Sequence, residues 1–571
     1  MRHATGHRGN GGAVARVIVI GAGVGGLACA ARLAAAGHTV EVHERAATVG
    51  GKLGTATIDG YTFDTGPSLL TMPWVFEDLF AATGDGLREV LAVRRLEEIA
   101  RYRFADGTRL RAHADDAAFT AELDAVLGPG AGASWGRLME RAGRMWRATE
   151  GPFLSQPLAG ASTLLRLAAR SPRDIAVIAP TRTLRQLGST MLRGPGAAEL
   201  RMMLDRYATY TGSDPRRAPA ALAVIPYAER AFGGWYIDGG LRALADALAD
   251  RAREHGAEIV TGSEVTAIRL RGGRTVGVTL GDGTPRPADA VVANADAGTV
   301  WRDLLPARGS PPRSRRRGWT APRRDPDRDP VARAGRRARR RLARCEPSLA
   351  GFVLLLALEP GAPRPGAQHT VLFPADYDAE FDAVFGGRMP ADPTVYISAP
   401  ADPALAPPGG QAWFVLVNAP RHVPAGGLRA LAGGPAVSPA VIPAGMPAGM
   451  PAGGGDRRPG VDWDMPGRAS AYADHVLDLM ASRGLDVRCH LRHRRILTPA
   501  DTERATATPG GAIYGTSSNG PAAAFLRPAN ATGVGGLFLV GGSSHPGGGL
   551  PLVTLSAKIV TGLVQDWLAG R

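Results

Sequence analysis

Residues 16–54 read RVIVIGAGVGGLACAARLAAAGHTVEVHERAATVGGKLG, and this stretch decides the fold. Arg16 to Ile20 is a short apolar, β-branched run with the composition of a buried strand. Gly21, Gly23 and Gly26 follow at once in Gly-x-Gly-x-x-Gly spacing, with Gly25 inside the same turn, before an alanine-rich stretch suited to a helix. The first glycine permits the tight turn, the second lets a pyrophosphate approach the backbone, and the third lets helix and strand pack closely. The helix N-terminus adds free N–H donors and a positive dipole end. Thr39 to His43 reads as a second strand with Glu44 at its end, 18 residues after Gly26, where a carboxylate can accept from a ribose hydroxyl pair. Glycine spacing alone is weak evidence in a chain with 76 glycines, but strand, helix and acid together specify a dinucleotide site. The apolar run from Val17 to Gly37 approaches the length of a membrane span, yet it carries Arg32 and the glycine cluster. It also lacks the basic leader and small-residue cleavage site of a signal peptide.

Arg45 follows the ribose acid, then Gly50-Gly51-Lys52, then Gly60-Tyr61-Thr62-Phe63-Asp64-Thr65-Gly66-Pro67. This second glycine pair resembles the extension found in flavoproteins of the glutathione reductase type 2 structural family, where it continues the FAD site toward the flavin. The resemblance favours FAD over NAD.

With 571 residues and 44% hydrophobic content, the chain has room for two or three domains with ample cores. Cys29, Cys345 and Cys489 are widely spaced and suggest neither a disulfide framework nor a metal site. Met1 to Ala13 reads as a disordered tail and not a targeting signal. The net charge of +15 raises nucleic-acid binding, but most of it sits between Arg302 and Arg344, where sixteen Arg face four Asp. Residues 311–330, PPRSRRRGWTAPRRDPDRDP, hold almost no aliphatic side chains, so the expectation is a loose, solvated insertion and no nucleic-acid partner.

Further along, Leu158, Leu164, Leu165 and Leu167, interleaved with Arg166 and Arg170 within Phe153–Ile178, suggest an amphipathic helix against the core or a membrane surface. A turn-rich aromatic passage, FGGWYIDGG, spans 232–240. A helix over 241–255 leads into short strands near 257–260, 265–270, 274–280 and 289–293, a return to the nucleotide domain. Runs at 349–358, 370–373, 394–399 and 411–419 suffice for a separate sheet that would wall a substrate domain. Residues 424–460, rich in Pro, Ala and Gly with Pro-Ala-Gly-Met twice, read as a low-complexity linker.

Near the end, a strand over 536–540 runs into Gly541-Gly542-Ser543-Ser544-His545-Pro546-Gly547-Gly548-Gly549-Leu550-Pro551 and a helix from about Val553 to Trp567. Strand, glycine loop and helix thus occur twice, so both ends of the chain are expected to meet on one cofactor. Together GAGVGGL, ERxxxxGGK, YTFDTGPSLLT, GGWYIDGG and LFLVGGSSHPGGGLP resemble the bacterial phytoene desaturase family of carotenoid oxidoreductases, over about 15–300 and 345–571. The Arg-rich and Pro/Gly/Met insertions depart from that pattern.

The resemblance implies an α/β protein: a Rossmann-like FAD-binding domain assembled from both ends of the chain, with a discontinuous α+β substrate domain. The expected division is a tail over 1–13, FAD-binding parts over 14–80, 231–300 and 506–571, substrate-domain parts over 81–230 and 345–505, and the Arg-rich insertion over 301–344. In such flavoproteins the strand corresponding to Val265 lies along the adenine, and the late loop lies by the flavin. The cofactor-binding candidates are therefore Gly21, Gly23, Gly25, Gly26, Glu44, Arg45, Gly50, Gly51, Lys52, Gly66, Pro67, Val265, Gly541, Gly542, Gly549, Leu550 and Pro551. The implied activity is FAD-dependent desaturation of a carotenoid or its precursor by hydride transfer to flavin. Late-pathway ketolase or oxygenase activity, flavin amine oxidation and a flavin-free relic disabled by the insertions are the rivals. His545 is the candidate base for the accompanying proton; Asp205 and Arg206 are weaker ones, better suited to structural pairing. A forty-carbon polyene, at about 0.8 kcal/mol per buried carbon, costs on the order of tens of kcal/mol to hold in water. The expected setting is therefore cytoplasmic and peripheral to the cytoplasmic membrane, with the membrane surface as partner and the terminal electron acceptor unspecified.

Overall fold

The computed structural model describes residues 14–157, 169, 171–305, 330–424, 459–520, 523 and 527–571. Arg16–Ile20 is the middle strand of a five-stranded parallel sheet. Its neighbours are Thr39–His43, flanked by Glu258–Val260, and Ala290–Ala293, flanked by Leu537–Leu539. Alternation along the strand sends side chains to opposite faces. Val17 and Val19 meet helices Val24–Ala35, Arg242–Glu254 and Leu550–Ala569 on one face. Ile18 and Ile20 meet the sheet of Val265–Arg271, Arg274–Leu280 and Pro285–Pro287 on the other. A parallel sheet needs both faces covered, and here both are. Strands from the beginning, middle and end of the chain share one sheet, the doubly covered α/β arrangement expected.

A second, seven-stranded sheet runs in the order Leu491–Leu497, Ala350–Leu358, Gln411–Ala419, Val395–Ser398, His369–Leu372, Glu98–Arg103 and Arg109–His113. Its neighbours are antiparallel except for the parallel join between His369–Leu372 and Glu98–Arg103. The strands read from residues 349–419 are all present, and the sheet is extended by Glu98–Arg103, whose partner His369–Leu372 lies more than 250 residues on, and by its hairpin neighbour Arg109–His113. Phe352, Leu354, Leu356, Trp413 and Val415 pack against helix Arg468–Ser482. Val353, Phe414 and Leu416, on the opposite face, are turned toward a large cavity. Helices Asp116–Leu127, Ala131–Thr149, Leu184–Met191 and Ala197–Arg206 bury Leu123, Trp135, Leu187 and Leu204 with Tyr102 and Phe373 of the sheet end.

The segment expected to be a loose Arg-rich insertion is ordered at both margins. Val300–Leu304 is a wide π-helical turn that buries Trp301 and Leu304, and Pro330–Arg344 is a helix. Its Val331, Ala334, Ala338 and Leu342 recur at helical spacing and pack against the outer core of the nucleotide sheet. Four small or aliphatic residues on one face are enough for docking, which the arginine count conceals. Residues 306–329, most of the amphipathic stretch (158–168 and 170) and 425–458 of the low-complexity linker lie outside the described residues. The linker leaves and rejoins the fold at one place: Val423 N donates to Val461 O at 3.0 Å, and Val461 N to Arg421 O at 2.9 Å. No helix among the described residues is long and apolar enough to cross a membrane.

Candidate active site

The carboxyl ends of the parallel strands open onto a cavity of about 1780 Å³. A single ligand site typically occupies roughly 300–1000 Å³, so this space accommodates two molecules side by side. One part is polar and glycine-lined. Gly21, Gly23 and Gly25 follow the first strand, Glu44 and Arg45 the second, and Gly541 and Gly542 the last; Val265 also lines this part. Gly50 and Gly51 are laid on the first loop through Gly50 N to Ala22 O, 2.8 Å. Gly549, Leu550 and Pro551 start the 20-residue closing helix, whose N-terminus faces the cavity.

The two glycine loops touch. A Cβ on Gly25 would stand 2.8 Å from Asn294 Oδ1, 3.0 Å from Val553 Cγ1 and 3.3 Å from Gly541 Cα. One on Gly26 would stand 2.1 Å from Gly21 O. Gly26 does not line the cavity; it is the close-packing glycine between helix and strand. Asn294, just past strand Ala290–Ala293, donates Nδ2 to Gly21 O at 3.3 Å and fills the space under both loops. Sequence reasoning missed it, although its place directly after an all-apolar strand was a usable signal. Two helix N-termini and bare backbone that side chains would block thus converge on the polar part, which fits a pyrophosphate and hence FAD. Glu44 is partly committed: Oε2 accepts from Ala22 N and Oε1 from Ala46 N, both at 2.8 Å, so it also locks the first loop. Arg45 Nη2 donates to Arg504 O at 2.6 Å.

Deeper in, Lys52 Nζ donates to Ile513 O at 2.6 Å and Ala512 O at 3.2 Å, tying the Gly-Gly-Lys segment to the late chain. Burial pushes its ammonium down to about 8, with Asp296 opposing. Burial also raises Asp296 above the usual carboxylate range, against its hydrogen bond from Gly298 N and the Lys52 charge. Arg527, another residue the sequence reading did not single out, reaches Gly542 O at 2.7 Å, Thr516 O at 3.0 Å and Tyr514 O at 3.3 Å. Burial brings it down to about 10. Gly66 and Pro67 line the cavity beside Ser68, whose hydroxyl is 2.7 Å from Tyr396 OH; that phenol is also 2.7 Å from His369 Nδ1.

His545 lines the cavity and is 4% exposed. Its Nε2 lies 2.9 Å from Gln156 O, an arrangement that makes Nε2 the protonated nitrogen and leaves the lone pair on Nδ1. Its carbonyl is held by Ser556 Oγ at 2.8 Å and Asn530 Nδ2 at 2.9 Å. Burial, with Arg527 adding to it, lowers the imidazole pKa, so the ring is neutral near pH 7. Asp205 does not line the cavity; it pairs with Arg185 at 2.6 Å, the structural role expected. Arg206 does line it.

The remaining wall is apolar. Trp146, Phe153, Ile178, Leu222 and Val224 of the helical part face Leu349, Val353, Phe414 and Leu416 of the seven-stranded sheet. An apolar passage therefore runs into a dinucleotide site, the arrangement of an FAD-dependent oxidoreductase acting on a hydrophobic substrate.

Similarity to known proteins leads to the same place. The family model described as flavin containing amine oxidoreductase matches residues 24–317. A 4,4'-diapolycopene oxygenase of Methylomonas sp is 32% identical over 95% of this chain and 97% of its own length. A zeta-carotene-forming phytoene desaturase of Myxococcus xanthus is 31% identical over 97% and 94%. Among solved structures, cyclohexylamine oxidase from Brevibacterium oxydans superposes with a TM-score of 0.54, covering 98% of this chain and 100% of that one at 14% identity, a likeness of fold. The chain belongs to the flavin containing amine oxidoreductase family, in its branch of carotenoid desaturases and oxygenases.

Proposed function

We propose that this enzyme desaturates a carotenoid or carotenoid precursor at a membrane surface. The observation that carries the reading is the continuity of the cavity: a passage walled by Trp146, Phe153, Val224, Phe414 and Leu416 opens directly onto the glycine loops. FAD, when bound there, supplies the hydride acceptor. The first loop, Glu44, Gly50–Lys52, Val265 and the closing Gly541–Pro551 segment hold it, with Gly26 keeping helix and strand close. The apolar wall excludes water and holds the extended chain in place, which is most of what a reaction with a strong electron acceptor requires of the protein. Hydride loss leaves an allylic cation that conjugation stabilises, so one weak base is sufficient for the adjacent proton. Neutral His545, with its lone pair on Nδ1, is that base in our reading.

Two further observations support this setting. A polyene of this kind has negligible solubility in water, and no described helix crosses a membrane, so peripheral attachment is the economical arrangement. The similarity to a diapolycopene oxygenase supports a second outcome, oxygen insertion at a polyene end. Coexpression with enzymes that make phytoene, and separately lycopene, followed by chromatography and mass spectrometry, tests both. A more unsaturated pigment is the expected product, and a mass gain of one oxygen would move the assignment to oxygenase. A flavin-loaded protein that alters neither pigment would overturn the proposal.

A further inference from the structure

One wall of the apolar cavity holds a cation for which a hydrocarbon has no use. Arg206, at the end of helix Ala197–Arg206, is 6% exposed and lines the cavity together with Tyr210, Glu229 and Tyr396. Its Nη1 donates to Tyr210 OH at 2.8 Å and its Nη2 to Tyr102 OH at 3.3 Å, while the buried Nε has no hydrogen-bond partner. The guanidinium carbon lies 4.7 Å from the Tyr207 ring centre, 5.2 Å from that of Tyr210 and 5.5 Å from that of Tyr102. Glu229 is turned to Tyr207 OH at 2.6 Å, and no ion pair to Arg206 is found among the described residues.

Desolvating a guanidinium costs several kcal/mol unless charge and hydrogen bonds return it. A purely structural arginine recovers that cost on carboxylates, as the neighbouring Arg185 does with Asp205 and Asp378 at 2.6 Å each. Arg206 instead has aromatic faces, two phenol oxygens and only the indirect charge of Glu229, which is bonded to Tyr207, so among the described residues two of its five N–H donors are engaged. A saturated or polyene carbon chain beside it would strip water from the cation and return nothing. An oxygen atom would accept a charge-assisted hydrogen bond in a site with little competing water.

We propose that Arg206, held by Tyr102, Tyr207 and Tyr210, is a specificity subsite for a hydroxyl or carbonyl oxygen at one end of the polyene. The substrate is then an already oxygenated carotenoid, which an oxygenating or hydrating enzyme acting earlier must supply. This rests on the polyene reading above and deepens it.

The test is binding of two probes to the full-length, flavin-loaded protein in detergent micelles: an acyclic forty-carbon polyene and the same polyene with a terminal hydroxyl. The ratio of their dissociation constants is compared between wild type and variants, so that micelle partitioning cancels. Arg206→Met is expected to reduce the preference for the hydroxylated probe by roughly 10- to 100-fold, the worth of one hydrogen bond to a charged group. Arg206→Lys, which keeps the charge and loses the planar fork, keeps the fold measurable if the methionine variant does not accumulate; it is expected to lose part of the preference. A ratio unchanged in either variant, or a drop in affinity equal for both probes, would overturn the subsite. Binding decides this inference and turnover decides the desaturase reading, so the two fail separately.

Discussion

Gly26→Ala is the sharpest perturbation of the nucleotide half, because the added methyl meets backbone and not a side chain that could swing away. Its Cβ would lie 2.1 Å from the carbonyl oxygen of Gly21, about 1 Å inside the closest ordinary carbon–oxygen approach. Gly21 cannot retreat easily: its N–H is bonded to His43 O at 2.8 Å and its carbonyl to Asn294 Nδ2. The helix Val24–Ala35 must therefore back away from strand Arg16–Ile20 by about that ångström, and overpacking of this kind costs roughly 1–3 kcal/mol. The same movement withdraws the helix N-terminus from the cavity. Losing one or two charge-assisted bonds to the pyrophosphate weakens FAD by on the order of 10- to 1000-fold. Purified variant should emerge pale, with reduced flavin-to-protein absorbance, and titration of apoprotein with FAD by fluorescence quenching should show the weaker dissociation constant. The apoprotein itself should unfold a few degrees earlier. Wild-type FAD affinity together with wild-type thermal stability would refute the packing argument.

Three other outcomes follow from the site. His545→Ala should lower kcat roughly 10²- to 10⁴-fold and remove the acid limb of the pH–rate profile, since protonation of the neutral imidazole is what that limb would report; an unchanged profile would remove His545 as the base. Lys52 has a folded pKa of about 8 against an ordinary 10.5, so between those values the unfolded chain binds more protons than the folded one. Its contribution therefore stabilises the apoprotein as pH rises through that window, but the Lys52 side chain is exposed to solvent, so screening holds the gain to about 1 kcal/mol or less. Thermal unfolding at pH 8 and 10 should show that gain in wild type beyond whatever Lys52→Met shows; parallel pH dependences would refute it. Arg527→Leu leaves the carbonyls of Tyr514, Thr516 and Gly542 without their donor and should cost roughly 3–5 kcal/mol, seen as a fall in the denaturation midpoint; a change under 1 kcal/mol would show that those carbonyls find other partners.

The nucleotide sheet was legible because its determinants are local. RVIVI alternates across a sheet, the glycines follow within one turn, and Glu44 ends the next strand, so a window of some thirty residues carries the argument. The closing Gly541–Pro551 loop was legible for the same reason. Asn294 and Arg527 were not, since each acts by filling space between segments far apart in the chain: Asn294 under loops at 21–26 and 541, Arg527 across the backbone of 514, 516 and 542. The joining of Glu98–Arg103 to His369–Leu372 is likewise invisible to periodicity, which reports that a strand exists but not its partner. Helix Pro330–Arg344 was obscured by composition: its arginines outnumber the four residues that dock it, and charge counting treats a solvated face as if it were the whole segment. Arg206 was weighed as a weak candidate base better suited to structural pairing, because nothing in Asp-Arg-Tyr spacing says that the acid turns to Arg185 while the arginine turns to the cavity.

The order of strands in the parallel sheet also sets a timetable for synthesis. The edge strand Leu537–Leu539 and the helix after it complete a sheet whose central strand was made some 520 residues earlier. A nascent chain thus carries an unpaired edge on Ala290–Ala293, and Cys29, whose thiol reaches Ala557 O of the closing helix, lacks that cover until translation is nearly over. Contacts so distant in sequence form slowly, and exposed edges of this kind invite association with other chains. Cofactor loading must therefore be among the last events in the maturation of this protein, and a truncation of even the final thirty-five residues should leave a product that is colourless and prone to aggregate.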